Sequence, residues 1–378
     1  MVRSVVMCFV LAILSLVSAA HSQKAPVEVN VLPNRPLIER RGSVRFLNFD
    51  FLLKNNGTAD LHLNRIQVSV YDKSGKLAWQ RELDENGHPS GMSSVEERDI
   101  KPAGAIAIFN PFFQFDPEFP LATMVYKFFF NAPGYETATP LDYQSYSEVT
   151  VSPVDYPGKT DLILPVQQRS LIFDGHDFYA HHRRQSPANP AFQKLGLRGN
   201  PTRYGYDFCP VNSEGQMYKD DNPYKKENWY AYGAAVIAPG AGVVVDAVND
   251  TPENDYKERS VVYASIPEDA LNRLLGGNYV VLDHGNGEFS YFAHMRPGSV
   301  RVKKGDHVQQ GQQIGEIGFA GDAFIPHLHY MLIDGPDILR AEGLPSYFRN
   351  FHRVLGSSLI EVQRDQIDSG DIVEPPRK

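Results

Sequence analysis

Short runs of alternating apolar and polar residues, each closed by a turn sequence, are the feature that most restricts the fold of this chain. In residues 49–54, aromatic and aliphatic side chains alternate with polar ones such as Asp50. This period of two places the two sets on opposite faces of a strand. The pattern recurs at 66–70, and a return strand at 76–83 follows the turn sequence at 72–75, as in a hairpin. The chain is therefore expected to be mainly β.

Further strands are predicted at 105–109, 124–131 and 146–151, between loops that carry Pro and Gly. This spacing is typical of two packed antiparallel sheets, so we expect an N-terminal Ig-like β-sandwich over residues 23–153. No cluster of catalytic residue types lies in this part of the chain. We therefore expect it to act as a spacer or binding module.

A change of composition divides the chain after the sandwich. Prolines mark residues 154–165 as a linker. Short strands broken by glycines follow, and they predict a β-roll and antiparallel-sheet domain over 166–358. Residues 359–378 are polar and end in prolines, so we expect a disordered tail there.

The first 22 residues are typical of a secretory signal peptide. Arg3 precedes an apolar stretch at 5–17, and small residues at 18–22 offer a cleavage site. The stretch is short of the ~20 residues that cross a bilayer, and no later segment is long enough to span one. The mature chain keeps Cys209 as its single cysteine, so it can form no internal disulfide. We expect a bacterial exported protein, periplasmic or extracellular, with no transmembrane segment in the mature chain.

The charge balance argues against one class of partner. The chain has 37 Lys and Arg against 45 Asp and Glu, a formal net charge of -8. A protein that binds the phosphate backbone needs a basic face. Nucleic acid is therefore not an expected partner.

Histidines concentrate in the second domain, which contains nine of the twelve. His327 and His329 lie two residues apart on a predicted strand and so share one face. Alone, such a pair fits a hydrogen-bonded core pair equally well. Asp207 adds a carboxylate, however, and His294 ends another predicted strand. Two histidines, a carboxylate and an open fourth position form the pattern of a catalytic zinc site.

Residues 233–333 resemble the core of the lysostaphin/LytM-type zinc metallopeptidases, which have a duplicated hybrid motif fold. Extended back to Asp207, the resemblance covers most of the second domain and none of the sandwich. Four motifs carry it: Gly-Asn-Tyr-Val-Val-Leu-Asp-His-Gly-Asn-Gly (277–287), Tyr-Phe-Ala-His-Met (291–295), the Val-Lys-Lys-Gly-Asp and Gly-Gln-Gln-Ile-Gly run (302–315), and Pro-His-Leu-His (326–329).

The resemblance implies specific roles. In that family, the second His of the His-x-His pair and the Asp of an upstream His-x-Gly-x-Asp motif bind zinc, which makes His329 and Asp207 ligands of one zinc ion per chain. His327 and His294 would polarise the substrate and stabilise the oxyanion. Family members cleave peptide bonds in peptidoglycan cross-bridges. The resemblance thus implies an exported zinc metalloendopeptidase that acts on peptidoglycan peptides, with a wall-associated protein as a candidate partner of the sandwich.

One position departs from the family pattern. The first ligand should stand four residues before Asp207, where this chain has Arg203. A guanidinium group has no lone pair to offer zinc. Because ligands must be close in space rather than in sequence, we expect His181 or His182 to complete the set. Arg183, Arg184 and Arg203 are then candidates to bind carboxylates of the substrate.

A second hypothesis gives Arg203 the opposite meaning. Its guanidinium group would pair with Asp207 and replace the metal by an ion pair. The domain would then be a catalytically inactive LytM-type module that binds the cell wall or regulates another wall hydrolase. The retention of Asp207, His294, His327 and His329 favours the enzyme. Zinc content distinguishes the two hypotheses.

Overall fold

The computed structural model describes residues 23–135, 142–185, 189, 192, 194, 196–220, 222–256 and 271–376. The described part of the chain is mainly β, as the sequence predicts. The predicted signal peptide at residues 1–22 lies outside it.

Thirteen strands form the N-terminal region, with a short 3₁₀ helix at Gly91–Ser94. They are β1 (Gln23–Lys24), β2 (Val27–Leu32), β3 (Leu37–Arg41), β4 (Val44–Leu47), β5 (Asp50–Asn55), β6 (Leu61–Tyr71), β7 (Leu77–Asp84), β8 (Asp99–Ile100), β9 (Ala105–Phe109), β10 (Gln114–Phe115), β11 (Thr123–Asn131), β12 (Ser145–Val151) and β13 (Val154–Asp155).

These strands form three sheets around one hydrophobic core. The largest has the order β1-β12-β11-β6-β7, with β8 also paired to β6; the others are β2-β5-β9 and β10-β4-β3-β13. The hairpin predicted from the turn at 72–75 is confirmed, because β6 and β7 pair antiparallel with Val68 opposite Arg81. Aromatic side chains fill the core, where the rings of Phe51 and Phe128 meet edge to face.

The alternation in β5 holds for its apolar residues and fails for one polar residue. Phe51 and Leu53 are fully buried, as the period of two predicts. Asp50 is fully buried as well, although it lies on the polar face of the strand. The reason is that its carboxylate pairs with Arg183 and Arg203 of the C-terminal region. The second region, rather than water, thus covers this part of the strand.

In the described part of the C-terminal region there are thirteen further strands, a 3₁₀ helix at Lys226–Asn228 and a short α-helix at Leu271–Gly276. They are β14 (Ser170–Ile172), β15 (Tyr206–Pro210), β16 (Ala235–Ile237), β17 (Gly242–Val248), β18 (Asn278–Asp283), β19 (Phe289–Met295), β20 (His307–Val308), β21 (Gln313–Glu316), β22 (Leu328–Ile333), β23 (Gly343–Leu344), β24 (Phe348–Leu355), β25 (Ser358–Asp365) and β26 (Ile372–Glu374).

One large antiparallel sheet dominates this region, in the order β20-β17-β18-β19-β22-β15-β14-β26-β24-β25 with β23 on β22. A two-stranded sheet of β16 and β21 packs against it through the shared core. Strands β19, β22 and β15 are adjacent, and their register sets Ala293 beside His329 and His329 beside Asp207. This register brings residues from distant parts of the sequence onto neighbouring strands.

The prediction of a disordered tail over residues 359–378 is wrong for residues 359–376, and the last two residues lie outside the described ones. β25 pairs along its length with β24, and β26 pairs with both β24 and β14. Val373 is fully buried, and Glu374 is paired with Arg169 at 2.8 Å. The segment is polar because most of β25 is exposed on its outer side, while its backbone is fixed by strand pairing.

The predicted linker at residues 154–165 is packed against both regions. β13, at its start, pairs in parallel with β3 of the N-terminal region. Further along, Leu162 and Leu164 are buried in the C-terminal core. The Tyr347 hydroxyl accepts a hydrogen bond from the Arg40 backbone N–H and donates one to the Tyr156 carbonyl, which joins the two regions at this point.

Candidate metal centre

Asp207 and His329 form the base of the candidate site. They are direct neighbours on β15 and β22, and both side chains are buried. Asp207 Oδ1 lies 3.0 Å from His329 Nδ1. Because adjacent strands fix both backbones, these two groups are held by the sheet rather than by a loop.

His327 lies on the same side as His329, as the spacing of two residues predicts. Its Nδ1 donates a hydrogen bond to the Ile325 carbonyl at 2.8 Å. Its Nε2 lies 3.3 Å from Asp207 Oδ1. The His-x-His pair is therefore directed to one site.

His294 reaches the site through an unusual backbone conformation. Ala293 and His294 line the same cavity, although a regular strand would turn them to opposite faces. His294 has φ +63°, a left-handed conformation that is uncommon outside glycine and frequent at functional sites. Its Nδ1 donates to the Ala320 carbonyl at 2.8 Å, and its ring centroid lies 4.7 Å from that of His327.

His182 enters the site from the irregular segment between β14 and β15. Its Nε2 lies 3.4 Å from Asp207 Oδ1, and its ring centroid is 4.7 Å from that of His329. Its Nδ1 donates to the Gly175 carbonyl at 3.1 Å. Burial, above all, lowers the pKa of His182 to about 4, so that the ring is neutral at pH 7 and Nε2 carries a lone pair.

A glycine makes this approach possible. A Cβ atom built at Gly205 would lie 3.0 Å from the Thr202 carbonyl oxygen, 3.3 Å from His329 Cε1 and 3.5 Å from His182 Cγ. The absence of a side chain thus lets both rings close around Asp207.

His181 has a different environment from its neighbour. Its side chain is 60% exposed, and its Nδ1 is paired with Asp174 Oδ2 at 2.6 Å. The hydrogen bond to that carboxylate raises the pKa of His181. The same Asp174 oxygen lies 3.2 Å from His182 Nδ1. Asp174 is not among the site residues predicted from the sequence. Its position a few residues before His181 and His182 is the sequence feature that could have indicated it.

Two of the three arginines predicted to bind substrate, Arg183 and Arg203, do not line the site. Arg203 is paired with Asp50 and Glu342, and Arg183 is paired with Asp50. Both guanidinium groups are buried, and neither borders the cavity described below. Their prediction as substrate-binding residues is therefore wrong. The pairing of Arg203 with Asp207, expected for an inactive module, is also replaced by these contacts.

The donor set fits a metal cation. Asp207 Oδ1 faces His182 Nε2, His327 Nε2 and His329 Nδ1 at 3.0 to 3.4 Å. His182 donates its Nδ1–H to the Gly175 carbonyl, so its Nε2 carries a lone pair that faces the Asp207 carboxylate. Both of these atoms are hydrogen-bond acceptors, and a cation between them would stabilise the contact. A histidine that binds a metal through one ring nitrogen commonly donates the N–H of the other to a backbone carbonyl, which fixes the orientation of the ring.

Two neighbouring ligand sets, with no residue in common, are present among the described residues. In each, one nitrogen or oxygen per residue lies within 4.8 Å of all the others. One set is His294, His327 and His329; the other is Asp174, His181, His182 and Asp207. Asp207 joins them, because its Oδ1 touches histidines of both. Burial alone would raise the pKa of Asp207, but His327 and His182 reverse this and hold its pKa well below the usual range. The carboxylate is thus ionised.

A cavity of about 380 Å³ opens onto these groups. Apolar side chains form one side of it: Phe192, Leu197, Leu275, Tyr291, Phe324, Met331 and Ile338. Arg184 also borders the cavity, and its guanidinium carbon lies 4.5 Å from the centre of the Phe109 ring in the N-terminal region. A substrate in this cavity would meet an apolar wall, a cation and the cluster of histidines.

Within the described ranges, no helix combines the length and apolar character that crossing a bilayer requires. The remaining cysteine, Cys209, is a free thiol buried on β15, and burial raises its pKa well above the ordinary value. It is therefore a packed side chain rather than a reactive one.

Comparison with known protein families matches the part of the chain that carries three of these histidines. Residues 229–338 match the model of peptidase family M23. That range contains His294, His327 and His329, while Asp207 and His182 lie before it. The match lies within the C-terminal half of the chain and covers less than a third of its 378 residues.

Two proteins of Vibrio cholerae serotype O1 match shorter stretches. The peptidoglycan DD-endopeptidase ShyA is 45% identical over 62 residues, which cover 16% of this chain and 14% of that protein. The peptidoglycan DD-endopeptidase ShyC is 42% identical over 71 residues, or 18% of this chain and 16% of that protein. This chain thus spans less than a fifth of the length of these relatives. The catalytic domain of lysostaphin from Staphylococcus simulans aligns at 23% identity, with 39% of this chain and 79% of that chain covered and a TM-score of 0.24.

Proposed function

We propose that this chain, whose C-terminal region belongs to the M23 peptidases of the lysostaphin/LytM type, is an exported zinc metalloendopeptidase that hydrolyses peptide bonds in peptidoglycan cross-bridges. The observation that carries the proposal is the convergence of His182, Asp207 and His329. The neutral ring of His182, the ionised carboxylate of Asp207 and the side chain of His329 would supply three zinc ligands and leave a fourth position open. His182 thereby takes the role that the sequence pattern assigns to position 203.

The ligand set and the catalytic groups are separate in this proposal. His182 Nε2, Asp207 Oδ1 and His329 Nδ1 hold the zinc ion. When bound, zinc would polarise the scissile carbonyl and lower the pKa of a water molecule. His294 and His327 each hold their Nδ1–H on a backbone carbonyl, which leaves Nε2 available at the site. Each ring can accept a proton from the attacking water, and its protonated form can donate to the oxyanion or the leaving amine.

The remaining features fit a wall peptide as substrate. Of the three arginines that the sequence suggests for substrate binding, Arg184 borders the cavity and can bind a substrate carboxylate. The relatives ShyA and ShyC are named peptidoglycan DD-endopeptidases. A wall substrate requires export, which agrees with the signal peptide predicted at residues 1–22. The N-terminal region would be an Ig-like sandwich over 23–153, with the peptidase domain following it.

Two measurements test the proposal together. The mature protein is purified without chelators, and its zinc content is determined by elemental mass spectrometry. The same preparation is incubated with purified peptidoglycan, and the products are separated by liquid chromatography and identified by mass. We expect one zinc ion per chain and conversion of cross-linked fragments to monomers. Asp207→Ala should lack both properties.

The contrary outcome is equally specific. A wild-type protein that takes up no zinc in excess metal and leaves the cross-links intact would contradict the enzyme. Binding of that protein to peptidoglycan would then support the inactive, wall-binding module instead.

A further inference from the structure

Asp50, in the N-terminal region, is an acidic side chain that water does not reach. Its two carboxylate oxygens are paired with two different arginines of the C-terminal region: Oδ1 with Arg183 and Oδ2 with Arg203. All three side chains are buried. A buried carboxylate that holds two cations restrains both of them, and Arg183 would be left without an acidic partner among the described residues if Asp50 were removed.

One of these arginines directly follows the proposed zinc ligand. Arg183 comes next after His182, and its second guanidinium nitrogen donates to the Phe49 carbonyl at 3.0 Å. Both hydrogen-bond partners of the Arg183 guanidinium group, Asp50 and Phe49, therefore lie at the start of β5 or directly before it. The chain cannot move at Arg183 without moving His182.

The other arginine supports the same segment from the opposite side. Arg203 pairs with Glu342 as well as with Asp50. The Asn200 backbone N–H donates to Glu342 Oε2 at 3.1 Å, and the Asn200 side chain donates to the His182 carbonyl at 2.9 Å. A closed ring of contacts thus leads from Asp50 through both arginines to the backbone of His182.

Two further bonds tighten the ring. Asn48, which precedes β5, donates its side-chain N–H to the Arg203 carbonyl at 3.0 Å. The Thr202 hydroxyl donates to the His182 carbonyl at 3.2 Å. Arg203, at the expected ligand position, and Arg183, directly after the proposed ligand His182, are thus both paired with Asp50 of β5.

This support matters because of where His182 lies. Asp207 and His329 stand on paired strands, whereas residues 173–185 form neither helix nor strand. A ligand in an irregular segment needs outside contacts to keep its ring within the tolerance of a metal site. Here, the outside contacts come from the other region of the chain.

We infer that Asp50 is a positioning residue of the zinc site, so that the N-terminal region is a structural part of the metal centre rather than a separate module. The inference depends on the proposed function only in taking His182 as a zinc ligand. Asp50 touches neither the metal nor the substrate. It acts by holding Arg183 and Arg203, and through them the segment that carries His182.

The test compares zinc binding by the full mature chain with and without the tether. Zinc affinity is measured by competition with a chromophoric chelator, and thermal unfolding is followed with and without added zinc. For Asp50→Asn, we expect affinity to fall by about tenfold or more and the zinc-induced rise in melting temperature to shrink. The matched control is Asp60→Asn, an exposed carboxylate of the same region that pairs only with Lys101 among the described contacts; it should bind zinc as the wild type does.

A second variant covers the case in which Asp50→Asn does not fold. The double substitution Asp50→Asn with Arg183→Gln removes the tether but keeps the buried network neutral, because Arg203 still pairs with Glu342. It should show the same loss of zinc affinity. In both variants, raised zinc concentration should restore turnover, and thermal unfolding without zinc measures any general loss of stability separately.

Each outcome has a distinct meaning. Variants with wild-type zinc affinity, or with equal destabilisation in the presence and absence of zinc, would overturn the role of Asp50. A wild-type chain that binds no zinc would instead overturn the proposed function.

Discussion

Nε2 of His182 lies 3.4 Å from Oδ1 of Asp207, although the family pattern expects the corresponding histidine at position 203. In the proposed assignment, the first ligand therefore comes from a different position in the sequence. Arg203, which stands at the position where the family pattern has its histidine, forms ion pairs with Asp50 and Glu342 instead. This arrangement removes the objection that a guanidinium group in the motif must abolish metal binding.

The two adjacent histidines should differ sharply in their effect on zinc. His182→Ala removes a ring that touches Asp207, so we expect zinc affinity to fall by about 100-fold or more. His181→Ala removes a ring that is 60% exposed and paired with Asp174, and its effect should be below about tenfold. Chelator competition on both variants checks this. Equal losses in the two variants would contradict the assignment of His182.

The other pair of histidines should separate zinc binding from turnover. In the proposed assignment, His294 is outside the ligand set, so His294→Ala should keep one zinc ion per chain while kcat falls by about 10²-fold or more. His329→Ala serves as the comparison and should lose the zinc itself. Elemental analysis and initial rates on peptidoglycan fragments provide the two readouts. Loss of zinc from His294→Ala would favour the alternative set of His294, His327 and His329.

Parts of this site could be predicted from sequence because they depend on local geometry. The spacing of His327 and His329 defines their shared face, and strands such as β6, β7 and β22 follow from alternation and turn residues. The choice between His181 and His182 could not be made, because both lie in a segment without periodicity. Only the tertiary structure shows which ring reaches Asp207.

Other features depend on long-range pairing, which a sequence pattern does not contain. The alternation in β5 correctly predicts that Phe51 is buried, but it also predicts that Asp50 is exposed to solvent, whereas Asp50 is fully buried. The partners of Asp50 lie in another region of the chain, so its burial has no local signal. The tail is a similar case, since β26 is ordered by pairing with β14, from the start of the same region.

Arg184 should discriminate between substrates by charge. It is the arginine that borders the cavity, and a guanidinium group binds a carboxylate more strongly than a neutral amide. We expect Arg184→Gln to raise KM by about tenfold for cross-linked peptides with a free carboxylate, with little effect on the amidated forms. Arg301→Gln, an exposed arginine paired with Glu316, is the control. An equal change in KM for both substrates would contradict carboxylate binding by Arg184.

Glu39 should make the fold sensitive to acid. Burial alone would raise the pKa of Glu39, but His176 and Arg41 outweigh it and lower the pKa to about 2 from an ordinary 4.5. A depressed carboxyl pKa stabilises the folded state above the unfolded-state value, and this contribution is lost as pH falls from about 4.5 towards 2. We expect Glu39→Gln to lower the free energy of unfolding by about 3 kcal/mol at pH 7.

Chemical denaturation at several pH values tests this dependence. The difference between wild type and Glu39→Gln should be constant above about pH 5 and should narrow below it. Glu148→Gln alters a half-exposed carboxylate near Lys127, and its difference from wild type should stay small at every pH. A gap for Glu39→Gln that does not change down to pH 3 would contradict the role of Glu39.

Gly205 should be the most sensitive glycine of the metal site. An added methyl group would press on the Thr202 carbonyl at 3.0 Å and on the His329 ring at 3.3 Å, so that the ring must shift by a few tenths of an ångström. We expect Gly205→Ala to reduce zinc affinity by about tenfold with a smaller effect on the melting temperature of the zinc-free protein. Gly335→Ala is the matched control, since a methyl group there meets no atom within 4 Å. If Gly205→Ala bound zinc as tightly as Gly335→Ala, the close packing of His182 and His329 around Asp207 would not be what holds the metal.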